Sequence, residues 1–296
     1  MHRHEFPTQK ASNRKASTWI AAILGALCAL LLAGQAQASG HPGNLTEEFH
    51  HTYPISADGR VELDNVNGAV HITAWDRNEV KVDAVKYADS KDRLDDAQIQ
   101  VSAGSDYVSI HTEYHSHNHY FGTGHDSASV EYTLTVPRGA RLDEIKLVNG
   151  PLNIEGVGGE VRASCVNGEV SVAGLRARTE LSSVNGRMEV RFDSLSNAPV
   201  ELSSVNGSLE VVLPSDAKAE IEASTVSGRI ENDFGLHVNR HQFVGHSLDA
   251  ELGGGGGARI KLSNVNGRIE IRHADDGKPL SPAKDRSHKD GDDDEI

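Results

Sequence analysis

Apolar and polar residues alternate through the segment Leu181–Val190, which reads LSSVNGRMEV. Successive side chains of an extended strand point to opposite faces, and Asn-Gly is the strongest short signal for a chain reversal. A reversal at Asn185-Gly186 would sort the flanking side chains into two faces. The apolar face would hold Leu181, Ser183, Met188 and Val190, and the polar face Ser182, Val184, Arg187 and Glu189. The segment therefore predicts a strand, a turn and a second strand.

Copies of this segment recur along the chain, among them LSSVNGSLEV at 202–211 and LSNVNGRIEI at 262–271. The valine of each copy lies at residue 148, 166, 184, 205, 226 or 265, so the steps are 18, 18, 21, 21 and 39 residues. Repeats of this length are typical of solenoids, in which each unit buries its apolar face against its neighbours. The predicted turn residues are Asn67, Gly68, Asn149, Gly150, Asn167, Gly168, Asn185, Gly186, Asn206, Gly207, Gly228, Asn266 and Gly267.

Two all-β architectures fit this pattern. In a β-solenoid with V-N-G turns, valine would stack on valine and asparagine on asparagine at roughly 4.8 Å per coil. In an antiparallel meander closing into a sandwich, each Asn-Gly would form a true hairpin. Both sort the faces identically, so the alternation does not separate them. We favour the solenoid, because stacked ladders require near-identical side chains at fixed positions.

The repeat region is predicted to form one domain over residues 39–273, with a degenerate N-terminal half and a regular C-terminal half. Leu45–Tyr53 is a plausible first strand, and residues 89–97 predict a helical turn or loop. Residues 233–257 are expected to form an irregular coil that fills the 39-residue step. Residues 274–296 are polar and acidic and are expected to be a disordered tail, because they bury too little apolar surface to offset their ordering entropy.

Residues 1–38 have the features of a signal peptide. Arg14 and Lys15 precede an apolar run from Trp19 to Leu32, and Ala36-Gln37-Ala38 is a small-residue cleavage site. The apolar run is shorter than the ~20 residues that a membrane span needs. We therefore expect the chain to be exported to the periplasm or the cell surface, with no membrane span after cleavage.

The charge of the chain narrows the class of partner. The formal net charge is −14 at pH 7, and residues 39–296 carry 25 basic and 42 acidic residues, a net of −17. Phosphate binding needs concentrated lysine and arginine, so no nucleic-acid partner is expected. Cys165 is the only cysteine that would remain after cleavage, so no intramolecular disulfide can form. A small buried thiol is the expected role of Cys165.

Histidines are concentrated between residues 111 and 125. If this segment were a strand, alternate imidazoles could bind one Zn²⁺, Ni²⁺ or Cu²⁺ ion. The candidate ligands are His111, His115, His117, His119 and His125. The alternative is a polar loop between two strands, which Gly122 and Gly124 favour. No other cofactor is indicated.

Catalytic motifs are missing from the sequence, which has no Gly-x-Ser-x-Gly and no His-Glu-x-x-His. A glycan-active β-helix enzyme would need clustered carboxylates and aromatic platforms. The aromatic content is 5%, and Glu189, Glu210 and Glu270 recur as parts of the repeat rather than as a unique pocket. The sequence therefore predicts that the protein is not an enzyme.

The repeated phrase S-x-V-N-G-x-[ILM]-E-V behind a signal peptide resembles the bacterial putative-adhesin family of exported β-strand-repeat domains, a domain of unknown function. The resemblance covers about Val61 to Arg272. It implies a repetitive β fold, and it brings no active-site residues.

The expected function is accordingly a non-catalytic, adhesin-like binding or scaffolding module of the cell envelope, with an unknown protein or glycan as partner. The alternatives are an envelope metal-binding or stress-response protein that uses residues 111–125, and a glycan-active β-helix enzyme.

Overall fold

The computed structural model describes residues 45–115, 128–240 and 245–286. The strands of the first half are β1 (Leu45–Pro54), β2 (Arg60–Asn67), β3 (Val70–Trp75), β4 (Glu79–Ala88), β5 (Ala97–Ala103), β6 (Tyr107–Tyr114), β7 (Ser129–Pro137), β8 (Arg141–Asn149) and β9 (Leu152–Glu155). Those of the second half are β10 (Val161–Asn167), β11 (Val170–Ala173), β12 (Thr179–Asn185), β13 (Met188–Arg191), β14 (Val200–Asn206), β15 (Leu209–Leu213), β16 (Ala219–Ser227), β17 (Ile230–Asn232), β18 (Asn239–Arg240), β19 (His246–Leu252), β20 (Ala258–Asn266), β21 (Ile269–His273) and β22 (Ala283–Asp285). A short helix, α1, spans Lys91–Asp96.

The strands form two sheets that enclose one apolar core. The β1 sheet has ten strands in the order β1-β4-β7-β3-β9-β11-β13-β15-β21-β17. The β2 sheet has twelve, in the order β18-β19-β16-β20-β14-β12-β10-β8-β2-β6-β5, with β22 beside β19. Alternation along each strand sends one row of side chains inward, as at Leu181, Leu202 and Leu262, which are at most 1% exposed. The two faces predicted from the repeat are confirmed.

Each repeat forms one coil, defined here as a strand of the β2 sheet, a corner and a strand of the β1 sheet. Equivalent strands of successive coils pair in parallel and in register, so that Leu181 lies opposite Leu202 and Asn185 opposite Asn206. The two strands of a repeat lie in different sheets and do not pair with each other. The β-solenoid is therefore confirmed, and the meander of Asn-Gly hairpins is wrong. Antiparallel pairs occur only toward the ends of the described stack, for example β1 with β4 and β16 with β19.

The coils do not stack in chain order. From one end of the stack to the other they are β6–β7, β2–β3, β8–β9, β10–β11, β12–β13, β14–β15, β20–β21 and β16–β17. The first coil in the sequence, β2–β3, therefore lies between two later ones. The last coil, β20–β21, likewise lies between β14–β15 and β16–β17.

This order corrects the interpretation of the 39-residue step. No coil is formed by residues 233–257, whose described part includes β18 and β19, with β19 pairing antiparallel to the outer side of β16. The side chains give a reason for the inserted coil. Beside β14, strand β20 brings Leu262 onto Leu202 and Asn266 onto Asn206, whereas β16 carries Ser227 at the asparagine position. Strand β20, whose residues match those of β14 more closely, therefore lies next to β14, and β16 lies beyond it.

Part of the predicted disordered tail has a defined position. Strand β22 pairs antiparallel with β19, and the Ser281 hydroxyl donates a hydrogen bond of 2.6 Å to the Ala217 carbonyl oxygen. The prediction of disorder is thus wrong for residues 274–286, because backbone pairing with an open sheet edge orders a segment that has little apolar surface. Residues 287–296 lie outside the described residues.

At the opposite end, α1 packs beside β1, β4 and β5. The buried Lys86 ammonium donates hydrogen bonds to the carbonyl oxygens of Leu94 and Ala97, at 3.4 and 3.0 Å, and pairs with Glu47 at 2.8 Å. These contacts satisfy carbonyl groups at the end of α1. The predicted signal peptide, residues 1–38, lies outside the described residues. Among the residues the structure describes, no helix has the length and apolarity of a membrane span.

Candidate functional site

The predicted turn residues form the corners between the two sheets. Asparagine side chains stack there from coil to coil, each donating from its amide nitrogen to the amide oxygen of the next. Five such bonds of 2.8 to 3.0 Å join six asparagines in one ladder. From donor to acceptor the ladder runs in the order Asn266, Asn206, Asn185, Asn167, Asn149, Asn67. In the four interior asparagines, from Asn149 to Asn206, each amide has a second N–H and a second lone pair beyond its two ladder bonds.

Glycines stack beside these asparagines because the coils approach too closely for a side chain. A Cβ on Gly207 would lie 1.9 Å from the carbonyl oxygen of Gly186, and one on Gly267 would lie 1.9 Å from that of Gly207. Gly186, Gly207 and Gly267 have φ of 136°, 145° and 143°, the positive values expected from the sequence. The asparagines differ from the hairpin expectation, since no residue other than glycine has a positive φ in the described chain. Ser227-Gly228 holds the equivalent corner of the coil β16–β17.

The outer face of the β2 sheet carries a row of exposed valines next to the asparagine ladder. They are Val148, Val166, Val184, Val205, Val265 and Val226, with exposed fractions from 36% to 54%. Two residues further from the corner, on the same outer side, lies a row of serines in register: Ser164, Ser182, Ser203, Ser263, Ser224 and Ser247. We call these serine, valine and asparagine rows the ladder face. Its three rows contain hydroxyls, methyls and amides, and next to Ser164 the serine row gives way to Lys146, which pairs with Glu144 at 2.5 Å.

The outer face of the β1 sheet is chemically different. Glu189, Glu210, Glu270 and Glu231 lie side by side there. Arginines of the same and of neighbouring coils pair with them: Arg187 is 3.1 Å from Glu189 in its own coil and 2.6 Å from Glu210 in the next, and Arg268 is 2.7 Å from Glu270 in its own coil. The carboxylates predicted to be a repeated solvated face are therefore held in ion pairs.

Glu270 is the most deeply placed of these carboxylates, at 6% exposure. Burial raises the pKa of its carboxyl group. The hydrogen bond from Arg272 and the positive charges of Arg268, Arg272 and Arg187 lower it by more, so the pKa lies below its ordinary value. A carboxylate kept ionised in this way is suited to holding adjacent coils together and unsuited to donating a proton near neutral pH.

The histidine segment is described only in part. His111 is exposed on the outer side of β6, with its Nδ1 3.5 Å from an oxygen of Asp64. His115 follows the end of β6, and its Nε2 lies 3.4 Å from an oxygen of Glu113. His117, His119 and His125 lie outside the described residues. In the part of the chain that the structure describes, no three His, Cys, Asp or Glu residues are grouped to hold a metal ion.

The described part of the chain has surface depressions, including the following two. One, of about 570 Å³, is lined by Pro54, Ile55, Ser56, Ala103, Gly104 and Ser105 and contains no titratable side chain. The other, of about 230 Å³, lies on the outer face of the β2 sheet, where Glu220 pairs with Arg286 at 3.1 Å and with Arg259 at 3.6 Å. Arg286 also lies 3.8 Å from Asp249, so two of the three carboxylates of this depression have cationic partners.

Sequence reasoning overlooked the valine row as a surface. Alternation correctly placed Val184 on the polar face, yet the apolar residue at an outward position was not treated as unusual. The signal was present in every V-N-G copy. An apolar side chain that recurs on the solvent side marks a contact surface more specifically than any single exposed valine.

Solved structures that match this chain include those of three bacterial proteins. A "putative cell adhesion protein" from Clostridium sporogenes ATCC 15579 has 11% identity and a TM-score of 0.44, covering 78% of this chain and 100% of its own. A "putative adhesin" from Bacteroides fragilis NCTC 9343 has 13% identity, a TM-score of 0.30 and coverages of 77% and 97%. Another from Parabacteroides merdae ATCC 43184 has 10% identity, a TM-score of 0.29 and coverages of 79% and 98%.

The search of curated proteins found no match. A family model, by contrast, matches residues 55–272, which include every full coil of the solenoid and the corners with their asparagine and glycine ladders. The chain belongs to the Toastrack DUF4097 family.

Proposed function

We propose that the protein is a non-catalytic, adhesin-like binding module of the cell envelope that holds a neutral glycan chain on the ladder face. The observation that carries this proposal is the row of six valines, 36% to 54% exposed, which lie in register on the outer side of one sheet. Five coil steps of ~4.8 Å give this row a length of about 24 Å. A contiguous exposed apolar strip on a rigid sheet is typical of an interaction surface.

The flanking rows define the chemistry of the ligand. Sugar rings present apolar C–H faces bordered by hydroxyl groups. The valine methyls would contact the C–H faces, while serine hydroxyls on one side and asparagine amides on the other can donate and accept hydrogen bonds. Because the rows repeat with every coil, a polymer that repeats along its length can make the same contacts many times.

Charge favours a neutral polymer over an anionic one. The chain has a formal net charge of −14, and Lys146, the basic side chain in line with the serine row, is already paired with Glu144. A polyanion would be repelled by the chain as a whole and would find no unpaired lysine beside the described serines. The arginines of the β1 sheet are engaged with glutamates, as between Arg187 and Glu210 at 2.6 Å.

The absence of catalysis in this proposal is supported by the state of the carboxylates. Glu270 has a pKa below its ordinary value, whereas a glycosidase needs a carboxylic acid whose pKa is raised. Export to the periplasm or the cell surface, through a signal peptide at residues 1–38, is part of the same proposal. It rests on the charge and apolar pattern of those residues.

The test is a pair of substitutions within the valine row. The variant Val184→Asp with Val205→Asp places two carboxylates at the centre of the ladder face without altering the core. We expect its affinity for neutral cell-wall polysaccharide, measured by co-sedimentation and calorimetry, to fall at least ~10-fold, the loss expected when the contacts of two partly buried valines are removed.

The matched control carries the same charges on the other sheet. Thr73→Asp with Thr133→Asp alters exposed positions of β3 and β7 on the β1 sheet, and it should bind as the unchanged chain does. Equal binding by both variants would place the site elsewhere. If the unchanged chain binds no neutral polysaccharide but captures a purified envelope protein through the same valines, the ligand class is wrong and the surface is right.

A further inference from the structure

Strand β1 is an open sheet edge of unusual length. It spans Leu45–Pro54 and pairs with β4 through ten consecutive register positions, without a bulge. Among the described residues it has a hydrogen-bonded neighbour on that side only. Its other side therefore presents a row of backbone N–H and C=O groups that another β-strand can pair with.

Three usual protections of an edge strand are missing from β1, namely short length, a bulge and lysine. Leu45–Pro54 contains no lysine or arginine, and its single proline is the last residue. The edge at the other end of the β1 sheet is β17, which has three residues. Sheet edges that must stay unpaired are normally short, bulged or lysine-bearing, so β1 has the features of an edge that is used.

The side chains of β1 also indicate an incomplete surface. Phe49 and Tyr53 lie on its inner side and pack against the core while remaining partly exposed, and Leu45 on the same side is 46% exposed. Beyond the coil β2–β3, the β1 sheet continues through β7, β4 and β1, but the β2 sheet continues only through β6 and β5. The β1 edge thus extends one strand further than the edge of the facing sheet.

The sequence of this strand is complementary to itself when reversed. Read around Phe49, LTEEFHHTY places residues of matching chemistry at equal distances on the two sides. In an antiparallel pair of two such strands, the opposed residues would be Leu45 with Tyr53, Thr46 with Thr52, Glu47 with His51, Glu48 with His50, and Phe49 with Phe49. Directly opposed side chains of opposite charge or of aromatic type stabilise a sheet.

Neighbouring registers lack this agreement. A strand can shift only in steps that keep its inner and outer faces, since a shift of one residue exchanges them. The two nearest permitted registers place Glu48 against Glu48 or His50 against His50. The pairing centred on Phe49 therefore matches the faces and places each glutamate opposite a histidine, which can donate a hydrogen bond to it.

We propose that two copies of this chain associate through β1, in an antiparallel pair centred on Phe49, so that the two β1 sheets become one continuous sheet across a two-fold axis. A two-fold interface uses the same patch on both copies, which is the symmetry that the reversed complementarity of β1 requires. Each copy covers the exposed inner residues of the other. The ladder face lies on the other sheet and stays free.

The test uses charge changes on the outer row of β1, where Thr46, Glu48, His50 and Thr52 are all exposed. A basic variant carries Glu48→Lys and His50→Lys, and an acidic variant carries His50→Glu. In a pair of identical copies position 48 opposes position 50, so the basic variant opposes lysine to lysine and the acidic variant opposes glutamate to glutamate. In a mixed pair both of these contacts join a lysine to a glutamate.

Sedimentation equilibrium of the full chain should show a dimer for the unchanged protein and self-association at least ~10-fold weaker for each variant alone, as cross-strand like charges destabilise pairing. An equimolar mixture should restore the dimer. Because a misfolded variant could not regain dimerisation on mixing, this result would separate lost pairing from lost folding.

A control with the same type of change lies two strands away from the edge. Glu131→Lys with Thr133→Lys alters exposed outer positions of β7 and should dimerise like the unchanged protein. The proposal is overturned if the unchanged chain stays monomeric up to about 1 mM, if either charged variant dimerises as tightly as the unchanged chain, or if the two folded variants do not associate when mixed.

Discussion

Substitution of Gly168 by alanine separates two reasons for glycine at the corners of the solenoid. Gly168 does not have a positive φ, so alanine can adopt its backbone conformation. A Cβ there would nevertheless lie 1.9 Å from the carbonyl oxygen and 2.6 Å from the carbonyl carbon of Gly150 in the adjacent coil. The cost of Gly168→Ala is therefore steric and lies between coils.

The size of this cost follows from the contacts that must open. A carbon and a carbonyl oxygen approach to about 3.3 Å at closest, so the two coils must separate by more than ~1 Å at this corner. That movement stretches the hydrogen bonds between these two coils from the Gly150 nitrogen to the Asn167 oxygen, 2.9 Å, and from the Leu152 nitrogen to the Glu169 oxygen, 2.8 Å. It also stretches the 2.9 Å hydrogen bond from the side-chain nitrogen of Asn167 to the side-chain oxygen of Asn149. At ~1 kcal/mol for each bond, the free energy of unfolding should fall by about 3 kcal/mol.

Gly235→Ala is the matched comparison. Gly235 has a φ of +70°, and a Cβ there would have no heavy atom within 4 Å. Only the conformational cost of a left-handed alanine applies, about 1 to 2 kcal/mol. Urea denaturation followed by circular dichroism would measure both. A loss for Gly168→Ala no greater than that for Gly235→Ala would refute the assignment of close coil contact.

Three further outcomes are expected. The carboxylate of Glu270, whose pKa is lowered, stabilises the folded state at neutral pH. Its contribution is lost as pH falls below about 4.5, so the stability difference between the unchanged chain and Glu270→Gln should shrink in that range. Leu202→Asp should cost several kcal/mol because it buries a charge, while Val205→Asp, on the same strand but 39% exposed, should cost less than about 1 kcal/mol; equal losses in urea titrations would contradict the assignment of faces. If residues 111–125 bind Zn²⁺, Ni²⁺ or Cu²⁺, calorimetry at pH 7.5 should show a site that weakens below about pH 6 and disappears in a folded His115/His117/His119→Ala variant, whereas unchanged binding in that variant would exclude these ligands.

The repeat period was enough to predict the solenoid, because the direction in which each side chain points is determined by its position within its own repeat. Leu181, Ser183, Met188 and Val190 all face inward and are buried, as alternation around Asn185-Gly186 requires. Registration between coils also followed, because identical residues at identical positions pair with each other, as Asn185 does with Asn206.

The order of the coils could not be predicted in this way. Repeats that resemble one another are interchangeable as neighbours, so chain order does not decide which copy stacks on which. Strand β20 takes the place beside β14 that a sequential stack would give to β16. The asparagine at 266 against the serine at 227 was the available clue, but its weight depends on a ladder that is visible only in three dimensions.

The glycines show the same limit at a smaller scale. Asn-Gly suggested a turn in which both residues have positive φ, and Gly186 does have such a value at 136°. For Gly168 the reason is the carbonyl oxygen of Gly150 in the next coil, a contact between residues 18 positions apart in the chain. The local turn rule therefore predicts glycine at this position correctly, but it attributes the glycine to a positive φ, whereas the actual reason is the close contact with the adjacent coil.

The exchanged positions of the terminal coils have a mechanical consequence. A solenoid stacked in chain order can be unzipped from either end, one coil at a time. Here a pull on the C-terminal side would first peel β22 from β19 and then meet β21, which is hydrogen-bonded on both sides by β15 and β17, as β20 behind it is by β14 and β16. A pull on the N-terminal side would likewise release β1 and then meet β2, held between β6 and β8. After one edge strand has detached, extension must shear a coil out of the stack, breaking many bonds at once, so the chain should yield at a higher force than a sequential solenoid of equal length.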